Sequence, residues 1–119
     1  MTKTSKYLTI FGSILLLVMA CFHGSGLFYV QGLMEESNAP DFLKNIMPVL
    51  FAHPSIHLFG LSIFGFLSLS LGEAANRVLM VLAILVLLDG LLAFYLGGVI
   101  PGLLLLAATL SFGVASRGQ

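Results

Sequence analysis

The chain has 119 residues, of which 59% are hydrophobic and 8% are charged, and five basic residues balance five acidic ones. With a mean hydropathy of +1.09, it lies far from the usual globular mix of about one quarter charged residues. A water-soluble fold this small buries only about 60–70% of its surface and would be left with large apolar patches. The balanced charge also excludes an electrostatic nucleic-acid surface. Lipid is the solvent this composition calls for, and the bilayer is the expected partner.

Residues 1–6 are polar and carry Lys3 and Lys6, after which residues 7–30 run without a charge. At 1.5 Å per residue that run is long enough to cross about 30 Å of hydrocarbon. The same start has the form of a secretion signal, because Val18-Met19-Ala20-Cys21 matches a bacterial lipoprotein cleavage box. Against processing at Cys21, the apolar run continues through Phe22, Leu27, Phe28 and Tyr29, so a retained first span is expected. A single cysteine excludes an intrachain disulfide and says little of redox compartment.

Residues 31–47 form the one substantial polar connector, with Glu35, Glu36 and Asp41 against Lys44. Ser37-Asn38-Ala39-Pro40 signals a turn or helix start within it. Phe42, Leu43, Ile46, Met47, Leu50 and Phe51 recur at helical spacing, which predicts a short amphipathic helix on the membrane surface between spans one and two.

The second span is expected over residues 48–71, starting at either Pro48 or Pro54, since proline suits a first helical turn. A polar turn at residues 72–77 leads to a third span over 78–96, interrupted by Asp89-Gly90. Gly97-Gly98 then turns the chain into a fourth span over 99–115, with Pro101 in its first turn. The short connectors predict an all-α, up-down-up-down antiparallel bundle forming a single domain. Lys3, Lys6, Arg77 and Arg117 fall on one side and Lys44 alone on the other. By the positive-inside rule, this sets a multi-pass protein of the cell (inner) membrane with both termini cytoplasmic and the acidic connector outside.

Polar residues inside the spans carry the functional signal. His53 and His57 are four residues apart, so a helix puts both imidazoles on one face. His23 and Asp89 fall at similar expected depth, roughly 3–10 Å outside the bilayer centre for all four residues. An ionisable group there is unfavourable by roughly 2.5–3.5 kcal/mol on insertion scales, so each should face inward and find a partner.

Three chemistries suit such a set. Neutral imidazoles plus a carboxylate match zinc or copper, with His23, His53, His57 and Asp89 as candidate ligands. Haem is the second, held by His23 with His57 or His53 from the next helix. Proton relay or quinone chemistry between Asp89 and an imidazole is the third. The competing reading has no ligand: the four residues hydrogen-bond one another and fix helix packing in a non-catalytic accessory subunit. Hydrolysis and phosphoryl transfer have no motif in the chain. Such a protein is expected to work beside other membrane subunits of a redox or transport assembly, or as a homo-oligomer. In layout alone, a His-Gly pair near the end of the first span, here His23-Gly24, resembles small four-helix bacterial membrane proteins.

Overall fold

A computed structural model of the chain describes residues 1–118, which form helices and turns with no strand among them. The first helix, α1 (Lys3–Ser25), is started by Thr2, whose Oγ1 accepts from the Ser5 N–H at 3.1 Å. Gly26 follows in right-handed helical conformation, and α2 (Leu27–Glu36) continues from it, so that Lys3–Glu36 forms an apolar stretch of 34 residues. Ser37 ends that stretch by turning its hydroxyl back onto the Met34 carbonyl at 2.7 Å.

The next helix, α3, runs unbroken over Asp41–Ser68 with both Pro48 and Pro54 inside it. The surface helix and the ambiguous start expected from the sequence are therefore replaced by one long element. Phe42 to Phe51 are its opening turns, and it begins before either proline. Asp41 opens it, placing a carboxylate on its positive end. Each proline keeps a helical φ and removes one N–H, so the Lys44 and Leu50 carbonyls lose their regular partners while the helix persists.

Gly72 at φ +55° and a one-turn 3₁₀ segment lead into α4 (Ala75–Tyr95). That helix closes on Gly97 at φ +83°, a left-handed conformation that glycine adopts without strain. The Gly98 N–H returns to the Ala93 carbonyl at 2.8 Å and Gly97 N–H to Phe94 at 3.0 Å, the paired bonds of a Schellman closure. The last helix, α5 (Val99–Ala115), coincides with the expected fourth span. Three helical stretches, Lys3–Glu36, Asp41–Ser68 and Gly72–Tyr95, are long and apolar enough to cross a membrane, and α5 is a shorter apolar helix.

The helices pack around an elongated core in a molecule of 55 × 25 × 18 Å. Leu16 and Met19 of α1, Leu58 and Leu61 of α3, Leu79, Leu82 and Val86 of α4, and Leu105 and Phe112 of α5 fill it. Phe112 is fully buried because two glycines make room: a methyl on Gly12 would stand 3.0 Å from its ring, and one on Gly65 3.3 Å. Hydroxyls line the same core. Ser5 donates to the Ala115 carbonyl of α5 at 2.6 Å, and Ser62 of α3 donates to the Ser13 carbonyl of α1 at 2.7 Å. Thr9 and Ser13 turn back onto the carbonyls of Ser5 and Thr9, one turn earlier in α1. Large apolar side chains point outward instead: Phe22, Tyr95 and Ile100 are each more than 70% exposed.

Contacts are dense between α1 and α3, between α1 and α5 and between α4 and α5, and sparse between α3 and α4. The bundle is thus left open along one side.

Candidate functional site

His57 and Asp89 meet across that open side. The His57 Nε2–H donates to Asp89 Oδ2 at 3.0 Å, joining the middle of α3 to the C-terminal third of α4. The pair is not enclosed: the side chains are 41% and 26% exposed. Gly90, next to Asp89, is buried and lets α5 approach, with a methyl there meeting the Leu105 side chain at 3.4 Å. That close approach anchors the α4 backbone behind Asp89 and leaves the carboxylate directed toward α3.

His23 has a different partner. Its Nε2–H donates to the Phe51 backbone carbonyl at 3.0 Å, and its ring stacks on the Phe51 ring with centroids 4.4 Å apart and planes 19° from parallel. Half-buried between α1 and α3, it works as a polar and aromatic clamp on the proline-bearing half of α3. Gly24 beside it allows that closeness, since a methyl there would reach the Ser55 hydroxyl at 3.4 Å. His53 is exposed on α3, one turn before His57, and its imidazole has no hydrogen-bond partner among the described residues.

The structure therefore brings His57 to Asp89 and holds His23 against Phe51. Among the described residues, no three His, Cys, Asp or Glu side chains converge to hold a metal ion. The His57–Asp89 pair offers two donors, short of the three protein ligands of a catalytic zinc centre. A hydrogen-bonded imidazole and carboxylate do make a proton donor and acceptor at one point, which is acid–base chemistry.

Two features escaped the sequence reading. Phe51, an apolar position of the expected surface helix, supplies both the carbonyl and the ring that hold His23. The second is the set of buried hydroxyls of Ser5, Thr9 and Ser13, whose four-residue spacing puts them on one helix face. A second opening, of about 550 Å³, lies between α2 and the start of α3, where Gln31, Glu35, Asp41, Lys44 and Asn45 form a polar lining.

Comparison with known protein families, with curated proteins and with solved structures gives no match.

Proposed function

We propose that the protein is a four-helix integral membrane subunit in which His57 and Asp89 exchange a proton at the laterally open α3–α4 side. The membrane reading rests on composition, on the many large apolar side chains left on the outside, and on the hydroxyls and glycines set among the apolar side chains of the core. An up-down-up-down course is supported by the residue pairs in contact: Ser13 with Ser62, His23 with Phe51, His57 with Asp89, and Gly90 with Leu105. The Thr2 N–H donates to the Gly118 carbonyl at 3.0 Å, so both termini lie at one end, with Lys3, Lys6 and Arg117 nearby in sequence. That excess of positive charge argues for a cytoplasmic location of the termini in the cell membrane. The acidic connector then lies outside.

The observation that carries the proton reading is the 3.0 Å Nε2–Oδ2 contact left partly exposed between two apolar helices. An exchanging pair must be reachable, and the open α3–α4 side leaves this one so. His53, exposed one turn nearer the outer end of α3, is the group through which protons reach His57 from water. The order is outer water, His53, His57, Asp89. Such a relay serves a larger redox or transport assembly.

The test is nitrogen-15 NMR of the histidine-labelled protein in nanodiscs, where only three imidazoles contribute. Water exchange at the His57 ring N–H should slow by roughly tenfold or more in His53→Ala, a modest fraction of what a positioned acid–base group contributes. Unchanged exchange would remove the relay. The second reading, a non-catalytic subunit held together by polar contacts, draws on the His23–Phe51 clamp, which is a packing arrangement. It expects His53→Ala and Asp89→Asn to alter stability alone.

A further inference from the structure

The open α3–α4 side carries a groove of about 340 Å³ walled by Leu61, Phe64, Val78, Val81, Leu82 and Leu85, with Arg77 at one end. Leu61 lies one helical turn after His57, and Leu85 one turn before Asp89. The proton-exchanging pair therefore stands at the end of the groove opposite Arg77. Along α4 the groove runs from Arg77 to Leu85, about 12 Å, and stops one helical turn short of Asp89. An apolar trough leading toward an imidazole–carboxylate pair has the form of an amphiphile site, and its volume falls in the range of roughly 300–1,000 Å³ typical of small-molecule pockets.

The position of the polar end selects the ligand. Asp89 lies six residues inside the end of α4 at Tyr95, about 9 Å along the axis. A phospholipid keeps its charged head at the interface and would offer only hydrocarbon at that depth. That would leave the exposed sides of His57 and Asp89 in contact with acyl chains, at a cost characteristic of polar groups in lipid. An uncharged head carrying hydroxyl or carbonyl oxygens can reach the pair. With Nε2 and Oδ2 engaged in their mutual bond, His57 Nδ1 and Asp89 Oδ1 remain to meet it. A ligand hydroxyl donates to either atom. A ligand carbonyl accepts from Nδ1–H when the imidazole is protonated.

We infer that the groove binds the isoprenoid tail of a quinone-type lipid and that His57 and Asp89 hold its head, an assignment resting on the proton-exchange reading of the same pair. Among apolar single-tailed lipids, a quinone and its quinol match both features of the site, since their head oxygens accept and release protons and their tail is branched hydrocarbon. Binding and proton exchange are assigned here; the electron donor or acceptor belongs to the surrounding assembly.

The probe is decylubiquinone, and separately its quinol, added to the histidine-labelled protein in nanodiscs of phosphatidylcholine and phosphatidylglycerol. A saturable shift confined to the His57 resonances is expected. Val81, 54% exposed on the groove wall, can be enlarged without disturbing the core. Val81→Trp should weaken binding by roughly tenfold, about 1.4 kcal/mol, while Leu110→Trp on the outer face of α5 should not. Absence of a His57 shift, a shift indifferent to Val81→Trp, or an equal effect of 1-decanol would overturn the assignment. Failure of the relay reads out separately: water exchange at His57 would then be independent of His53 in the absence of any added quinone.

Discussion

The Ser62 hydroxyl donates to the Ser13 backbone carbonyl across the α1–α3 contact at 2.7 Å, with both residues at most 1% exposed. The Ser13 side chain is turned the other way, onto the Thr9 carbonyl. The bond between the helices therefore runs from one side chain to a backbone whose own hydroxyl is occupied. Ser62→Ala should lower stability by about 0.6 kcal/mol and by no more than about 1.7, the range for such bonds between membrane helices. Reversible unfolding in mixed micelles would measure it. A loss above this range would mean that Ser62 does more than hold α3 against α1.

Two glycines of α3 should respond in opposite ways to the same substitution. At Gly65 a methyl meets the Ser13 hydroxyl and the Phe112 ring, whereas at Gly60 nothing lies within 4 Å. Gly65→Ala should cost about 1–3 kcal/mol through overpacking. Gly60→Ala should be neutral or mildly stabilising, because it removes glycine's backbone freedom from a helix interior. Unfolding free energies of the two variants, measured side by side, check both signs.

The His57–Asp89 contact should appear as a coupling energy. In a double-mutant cycle with His57→Ala and Asp89→Ala, the two changes should be non-additive by roughly 0.5–1.7 kcal/mol. The low end is the better expectation because the His57 side chain is 41% exposed. Additivity within error would mean that the two groups do not interact in the folded bilayer state.

The two components of the His23 clamp can be separated. His23→Phe keeps an aromatic ring against Phe51 and loses the bond to its carbonyl, at a cost of about 1 kcal/mol. His23→Ala loses the stacking as well, adding roughly 0.5–1.5 kcal/mol. Neither should change the nitrogen-15 signals of His57. A change there would show that the two histidine sites communicate.

Helix content was written in the sequence as long uncharged runs, and the fourth span was legible to the residue because Gly97-Gly98 and Ser116 bracket it. The continuity of α3 is not: Ser37-Asn38-Ala39-Pro40 signals a turn or helix start just before Asp41, but nothing in the sequence says that the helix runs on through Pro48 and Pro54. Proline is an ambiguous signal, tolerated at a first turn and also inside a helix. Depth along a helix could be estimated from numbering, which is why His57 and Asp89 could be matched. Azimuth could not. Whether His23 turns toward His57 or toward Phe51 depends on how α1 and α3 rotate about their axes, and buried hydroxyls and glycines set that rotation.

The unequal lengths of the helices have a consequence for the lipid around them. α5, with 17 residues, rises about 26 Å, less than the ~30 Å hydrocarbon thickness of a typical bilayer, while α3, with 28, rises about 42 Å. One flank is therefore shorter than such a hydrocarbon layer and the other longer. In a bilayer, the proposed four-span arrangement would need lipid to thin beside α5 and α3 to tilt or reach the headgroup layer. This mismatch favours thinner membranes, or a neighbour covering the α5 flank.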